Sequence, residues 1–128
     1  MPKSSPKLPP PPRGFERSSC PIACTLEIIG DKWTLLVIRD LLLGKKRYGD
    51  FQNAPESIPT NILAERLKRL ESAGLVEKAP YQNNPVRYEY SLTKAGMELK
   101  VILIGIAEWG NRNIPGTRRD WRKKKPAN

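Results

Sequence analysis

Two cysteines, Cys20 and Cys24, are the only thiols in this sequence, which also contains no histidine. A zinc site would require two or more further ligands, so we expect neither a metal nor another cofactor. Nucleophilic catalysis would require a base beside the thiol, and the sequence offers no histidine, no glycine-rich phosphate loop and no clustered carboxylates. The residue types therefore argue against an enzyme.

A second group of chemically useful side chains lies between Ile58 and Gly74. Three leucines recur there at i, i+4 and i+7, which places them in one apolar stripe of an amphipathic helix: Leu63, Leu67 and Leu70. Proline and threonine suit the start of a helix, with Thr60 able to cap free amides, and glycine suits a left-handed end. We therefore predict a helix that begins near Pro59 and ends at Gly74.

The face opposite the leucine stripe carries hydrogen-bond donors, acceptors and positive charge. Its centre and flanks hold Asn61, Glu65, Lys68, Ser72, Thr60, Ala64 and Arg69. Such a face is either an ordinary solvated surface or a binding surface. The elements around the helix are needed to decide between these interpretations.

Two predicted strands follow this helix. Residues 75–81 and 86–92 flank a polar turn at residues 82–85, which read Gln-Asn-Asn-Pro. The second strand alternates apolar and polar positions, and a period of two marks a half-buried strand; the apolar positions are Val86, Tyr88, Tyr90 and Leu92. A helix, a glycine, a strand, a polar turn and a strand in this order are typical of a winged helix.

Three further helices are predicted before the leucine-rich one. The first begins near Cys20 and has apolar residues at helical spacing before a break at Gly30: Ile22, Leu26 and Ile29. Asp31 is well placed to cap the second, residues 32–43, whose apolar surface on nearly every side suits the middle of a core or a subunit contact. Tyr48 and Phe51 predict a short third helix that packs inward.

Thr93 can cap a final helix with more apolar surface than one small domain can cover. Its main stripe consists of Leu99, Ile102, Leu103, Ile106 and Trp109. A second stripe, roughly a third of a turn away, consists of Met97, Val101 and Ile104. We therefore predict a homodimer in which the main stripe, together with Ile22 and Leu26, forms the contact.

Most of the net charge of +10 belongs to two segments at the ends of the sequence. Residues 1–17 contribute +3 and are rich in proline, which predicts a disordered tail, and residues 113–128 form a basic tail of +5. Residues 18–112 carry only +2 and form the predicted domain. No apolar run reaches the ~18 residues of a membrane span and no signal-peptide core is present, so we expect a cytoplasmic protein without membrane contact.

Five motifs, in this order along the chain, resemble those of the HxlR-type transcriptional regulators. They are Cys20 to Trp33, Arg39 to Gly44, Lys46 to Phe51, Ala64 to Glu71 and Arg87 to Gly96. The resemblance covers about residues 20–110 and implies a homodimeric, DNA-binding winged helix related to the MarR group. The expected fold class is mainly α with a small β-hairpin (α+β), a winged helix-turn-helix with flanking dimerisation helices.

The resemblance also points to DNA contacts at the start of the leucine-rich helix, which would meet base edges in the major groove. The candidates are Thr60, Asn61, Ala64, Glu65, Lys68 and Arg69. Asn61 suits adenine and is the leading candidate, Lys68 suits guanine or phosphate, and Glu65 either accepts from cytosine or holds Lys68 or Arg69 in place. Arg66 is not assigned to DNA, because it flanks the leucine stripe and should pair with Asp or Glu inside the protomer.

Three more basic residues fall where this fold brings cations near the phosphate backbone: Lys32, Arg47 and Arg87. Phosphate contacts fix the register of a protein on DNA without reading its sequence. For Lys32 the alternative is a solvated lysine in the first helical turn. For Arg87 the alternative is a cross-strand pair with Glu77.

The resemblance further implies a role for Cys20, because several members of the family carry a cysteine at this position and use it to sense oxidants or electrophiles. A helix N-terminus favours the reactive thiolate. The alternative is that Cys20 is a small apolar residue of the dimer contact. Cys24 stands where a polar residue is expected and is predicted to pack. A disulfide between the two along one helical turn would be strained, and an intersubunit disulfide cannot be read from the sequence.

The expected function is a sequence-specific DNA-binding transcriptional regulator that acts as a homodimer on an operator, with sensing through Cys20 as an accompanying hypothesis. Modified Cys20 would move two recognition helices away from the ~34 Å spacing of successive major grooves. The alternative is a basic winged-helix protein that binds nucleic acid non-specifically through its tails, and a protein-interaction module is a further class. The operator, the regulated genes, the sign of regulation and any small-molecule effector cannot be read from the sequence.

Overall fold

A computed structural model describes residues 19–122. The predicted proline-rich tail, residues 1–17, and residues 123–128 of the predicted basic tail lie outside the described residues. The elements are α1 (Pro21–Ile29), α2 (Lys32–Leu42), α3 (Tyr48–Gln52), α4 (Thr60–Ser72), β1 (Val76–Asn83), β2 (Val86–Leu92), α5 (Lys94–Met97) and α6 (Lys100–Asn113). None of the helices within residues 19–122 combines the length and apolar content needed to span a bilayer.

The helix-turn-helix consists of α3, the turn after it and α4. The antiparallel hairpin of β1 and β2 follows directly and forms the wing. Val76 lies opposite Leu92 at the base of this hairpin, and Asn83 lies opposite Val86 near its tip. The predicted α+β fold class and the winged helix-turn-helix are therefore confirmed.

Asp31 closes the junction between α1 and α2. Its carboxylate accepts hydrogen bonds from the amides of Trp33 and Thr34, at 3.2 and 3.3 Å. These are two of the amides that the first turn of a helix leaves without backbone partners, so the predicted cap is confirmed. A β-carbon at Gly30 would overlap the carbonyl oxygen of Leu26, so the break between the helices requires glycine.

The core is built around α2, as its apolar surface predicts. The buried side chains of α2 pack in one cluster with those of α3, α4, the wing and α6: Ile29, Val37, Ile38, Leu41, Phe51, Ile58, Leu63, Leu67, Leu70, Leu75, Val76 and Leu103. Phe51 is fully buried, and its ring meets that of Tyr90 edge to face with the centroids 6.4 Å apart. The leucine stripe thus fixes which face of α4 points outward.

The predicted start of α4 near Pro59 and Thr60 is confirmed, but the predicted capping role of Thr60 is wrong. Thr60 is the first residue of α4, and Pro59 holds the cap position without a side-chain hydrogen bond. The predicted end of the first strand is also wrong. β1 continues to Asn83, because its last residues pair with the start of β2, and the turn is confined to Asn84 and Pro85. The left-handed end of α4 is confirmed, with φ of 80° at Gly74.

The predicted final helix is instead two helices, α5 and α6, with Glu98 and Leu99 between them. Leu103 was predicted to lie in the dimer contact, but it is only 8% exposed and belongs to the core of the protomer. Leu99 and Ile102 are half-buried against the same core. The predicted second helix also ends at Leu42, one residue earlier than expected.

Thr93 joins the base of the wing to α5. Its hydroxyl accepts a hydrogen bond from the amide of Gly96 at 3.2 Å, which confirms the predicted cap, and donates to the carbonyl oxygen of Gly74 at 2.7 Å. Its own amide donates to the carbonyl oxygen of Leu75 at 3.0 Å. A β-carbon at Gly96 would overlap that same carbonyl oxygen. The end of α4, the wing and α5 are thus closely packed at one point.

Candidate nucleic-acid interface

The outward face of α4 is mainly polar from Thr60 to Lys68. Each leucine of the buried stripe is at most 2% exposed, whereas the predicted binding residues on the opposite face are exposed: Thr60, Asn61, Ala64, Glu65 and Lys68. The carboxamide of Asn61 and the ammonium group of Lys68 form no hydrogen bond or ion pair with any residue in the described range 19–122. Both groups are therefore available to a ligand.

Two hydrogen bonds from α3 fix the start of α4. The hydroxyl of Tyr48 donates to the carbonyl oxygen of Thr60 at 2.7 Å, and the amide of Gln52 donates to the Oγ1 atom of Thr60 at 3.1 Å. Burial raises the pKa of Tyr48, so its phenol remains protonated and able to donate. These contacts place Asn61, the next residue, at a fixed position on the surface.

Ion pairs that the sequence analysis missed anchor the turn between α3 and α4. The two terminal nitrogens of Arg39 bind both carboxylate oxygens of Glu56, at 2.8 and 2.9 Å, and its Nε atom donates to Asp40 at 3.0 Å. The hydrogen bond from Arg39 lowers the pKa of Glu56, whereas burial raises that of Asp40. Ser57 in this turn has φ of 55°, a backbone conformation that non-glycine residues rarely adopt.

Arg66 links α4 to the start of α2. Its Nε atom lies 2.8 Å from the Oδ2 atom of Asp31, and it also pairs with Glu65, so the predicted pairing inside the protomer is confirmed. Burial raises the pKa of Asp31, but the hydrogen bonds from Thr34 and Arg66 outweigh it and bring the pKa from 3.8 down to about 2. Glu65 also pairs with Arg69 at 3.4 Å, so it holds Arg69 and not Lys68.

Arg47 lies between the helix-turn-helix and the wing. Its Nε atom pairs with Glu89 of β2 at 3.1 Å, and its guanidinium carbon lies 3.8 Å from the centroid of the Tyr81 ring on β1. We call these three residues the Arg47 cluster. The sequence predicts a role for Arg47 but not for Tyr81 or Glu89, because the pattern of neither strand indicates a partner so distant in the chain.

The other two predicted phosphate contacts are exposed. Lys32 is the first residue of α2, and its ammonium group lies 4.7 Å from the centroid of the Trp33 ring. Arg87 lies opposite Gln82, whereas Glu77 lies opposite Ser91. The alternative pairing of Arg87 with Glu77 is therefore wrong.

Cys20 holds the cap position of α1 and is exposed, whereas Cys24 is half-buried one turn further on. Both are thiols and neither forms a disulfide. Nearby side chains of α1 and several on α6 are apolar and exposed: Ile22, Leu26, Val101, Ile106 and Trp109. No group of three or more potential metal ligands occurs within residues 19–122.

Comparison with known proteins agrees with this architecture. The structure resembles the redox regulator HypR in its reduced form, with a TM-score of 0.69, 35% identity and coverage of 75% of this chain and 95% of HypR. It also resembles the reduced form of the transcriptional regulator YodB from Bacillus subtilis, with a TM-score of 0.63, 28% identity and coverage of 79% of this chain and 100% of YodB.

A relative from Mycobacterium tuberculosis, named as an HTH-type transcriptional regulator, is 37% identical over 101 residues. The match covers 79% of this chain but only 62% of the length of the mycobacterial relative. The family model described as HxlR-like helix-turn-helix matches residues 28–118, which include α2, the complete helix-turn-helix, the wing and α6. The chain belongs to the HxlR-like helix-turn-helix family.

Proposed function

We propose that the chain is a sequence-specific DNA-binding transcriptional regulator that reads its operator with α4 and acts as a homodimer. The observation that carries this proposal is the arrangement of α4, in which the leucine stripe is buried, Asn61 stands exposed in the first turn and Lys68 stands exposed on the same face two turns later. A major groove admits a helix and presents a distinct pattern of donors and acceptors for each base pair. An exposed polar helix after a turn has the shape and chemistry to read that pattern.

Each predicted contact has a defined role in this proposal. Asn61 would pair with adenine through both atoms of its carboxamide, and Lys68 would bind guanine or phosphate. Glu65 keeps Arg69 near the groove and is itself able to accept from cytosine. Phosphates would be held by the remaining basic residues around α4, which are Lys32, Arg47, Arg69 and Arg87.

The homodimer is supported by the exposed apolar side chains of α1 and α6. Ile22 is 70% exposed and Trp109 is 58% exposed, and large apolar side chains that stand in water are typical of a protein interface when they lie together. Two copies of α4 would then bind two half-sites about one helical turn of DNA apart.

Fluorescence anisotropy with the full chain tests this function. The duplexes are the region upstream of the gene that encodes the chain and a scrambled version of it, titrated over a series of salt concentrations. We expect a preference for the upstream duplex of about a thousandfold or more. A chain trimmed to residues 19–122 should keep this preference and lose only a salt-dependent part of its affinity. If the full chain binds both duplexes alike and the trimmed chain binds neither, the tails bind nucleic acid without specificity.

A response to oxidants is a second proposed function, supported by the position of Cys20. It is exposed at the start of α1, next to Ile22 of the proposed dimer surface. Two structural neighbours support the same idea, since HypR is described as a redox regulator with reduced and oxidised forms and YodB has a diamide-treated form. Oxidation of Cys20 would disturb α1 and so the spacing between two copies of α4.

Replacing Cys20 with serine should remove the response to diamide, an oxidant that gains two electrons and two protons as two thiols, here Cys20 of each copy in the proposed homodimer, become a disulfide. In the wild type we expect diamide to lower operator affinity by about tenfold or more, within the usual range of allosteric coupling. Cys20→Ser should bind equally well with and without diamide, while the matched variant Cys24→Ser should respond like the wild type. If Cys20→Ser remains as sensitive as the wild type, the sensor lies elsewhere.

A further inference from the structure

We propose that Tyr81 and Glu89 are positioning residues that hold the guanidinium group of Arg47 ready to bind a DNA phosphate. This inference rests on the proposed function and adds the wing to it. The wing would thus contribute by orienting a cation that belongs to the helix-turn-helix.

The backbone around Arg47 is fixed from two sides. On the α3 side, the carboxylate of Asp50 accepts a hydrogen bond from the amide of Arg47 at 3.2 Å. On the wing side, Arg47 forms a β-bridge with Glu89, and the amide of Tyr90 donates to the carbonyl oxygen of Lys46 at 2.8 Å. The side chain of Arg47 therefore starts from a defined point between α3 and β2.

An irregularity in the strand pairing places Tyr81 against Arg47. Pro80 lies opposite Tyr88 and Gln82 lies opposite Arg87, so Tyr81 is an extra residue without a partner on β2. A bulge of this kind redirects a side chain and is frequent next to functional sites. Here the redirected ring forms a flat platform 3.8 Å from the guanidinium carbon of Arg47.

The contacts leave the phosphate-binding edge of Arg47 open. Glu89 binds the Nε atom, and the two terminal nitrogens bind no other described residue. A planar guanidinium presents paired N–H groups that match two oxygens of one phosphate. The side chain of Arg47 is 53% exposed, so a phosphate can reach these N–H groups without displacing another side chain.

Preorganisation explains why two non-contacting residues would matter for affinity. Ordering a long side chain upon binding lowers affinity by about twofold to tenfold, and a stacked, ion-paired arginine has already lost most of that freedom. Glu89 also carries a negative charge near the DNA, which opposes binding, so its benefit lies in the hydrogen bond rather than in its charge. Loss of the Tyr81 ring should therefore weaken binding, whereas loss of the Glu89 charge alone should not.

Anisotropy titrations of the full chain over a salt series test the inference. Tyr81→Leu should weaken binding to both the upstream and the scrambled duplex by about fivefold and lower the salt slope by about one. Tyr81→Phe keeps the ring and should bind like the wild type.

Glu89→Gln keeps an acceptor for Nε and removes the negative charge, so its affinity should equal or exceed that of the wild type. Tyr88→Leu changes the wing tyrosine that stacks with Lys78 and is the matched control with unchanged salt slope.

The double variant Arg47→Met with Tyr81→Leu should bind no more weakly than Arg47→Met alone, because both changes remove the same contact. Arg47→Lys leaves the wing intact but loses the planar guanidinium and its stacking on Tyr81. Its affinity and salt slope should match those of Tyr81→Leu, and it replaces that variant in the test if Tyr81→Leu fails to fold. The inference is overturned if Tyr81→Leu keeps wild-type affinity and slope, or if its loss adds fully to that of Arg47→Met. A wild type that binds both duplexes alike would refute sequence-specific recognition, yet the salt slopes on scrambled DNA would still test the positioning role.

Discussion

Replacing Arg66 with alanine should lower the free energy of unfolding by about 2 kcal/mol near neutral pH, because it leaves the part-buried carboxylate of Asp31 without its positively charged partner. Both side chains of this pair are mostly buried, with 19% of Arg66 and 28% of Asp31 exposed. The pair joins α4 to the start of α2, so its loss affects the element that carries the proposed interface. Urea unfolding followed by circular dichroism measures the change.

The loss of stability in Arg66→Ala should become smaller as the pH falls. The pKa of Asp31 is about 2 in the folded chain, below its ordinary 3.8, so the stabilisation is complete above the ordinary value and disappears as the pH falls towards 2. The difference between Arg66→Ala and the wild type should therefore shrink to less than about half near pH 2.5. Lys68→Ala removes a positive charge from the exposed face of α4 and should change stability little at either pH. An Arg66→Ala loss that equals that of Lys68→Ala, or does not change with pH, would contradict this account.

Replacing Asn61 with alanine should lower affinity for the upstream duplex by about tenfold to a hundredfold, the range of one well-placed base contact. Affinity for the scrambled duplex should stay the same, because the carboxamide is proposed to read a base and carries no charge that would neutralise a phosphate. Alanine has a higher helix propensity than asparagine, so α4 itself should remain intact. Anisotropy on both duplexes measures the ratio of the two affinities.

Asn113→Ala is the matched control for this prediction, since it removes the same side chain from the end of α6. It should leave both affinities at the wild-type value. If Asn61→Ala weakens both duplexes equally, Asn61 contacts the backbone of DNA and not a base. If neither affinity changes, α4 does not read DNA through this residue.

Local patterns predicted most of the fold. The leucine stripe of α4, the cap at Asp31 and the left-handed Gly74 are encoded within a few residues, because helical spacing, capping and backbone freedom are short-range properties. The break between α5 and α6 was not predicted, because the apolar pattern continues through Leu99 without interruption. The break allows α5 to pack against the wing.

The polar contacts of the candidate interface could be predicted only in part. Arg39 and Glu56 are 17 positions apart and Arg47 and Glu89 are 42 positions apart, so no local pattern joins them. Arg66 was predicted to pair inside the protomer because it sits beside the leucine stripe, but its partner Asp31 emerges only once α2 and α4 pack together. The extra residue Tyr81 depends on strand register, which sequence alternation alone did not reveal.

The hydroxyl of Thr93 bonds to the end of α4 on one side and to the start of α5 on the other, and its amide bonds to the first residue after Gly74. The angle between α4 and the wing therefore cannot change without breaking several hydrogen bonds at one place. In a regulator built in this way, α4 and the wing would move together as a rigid body. Any change in the separation of two such units in a dimer would have to arise near α1 and α6. Each unit would therefore present the same surface to DNA before and after the movement.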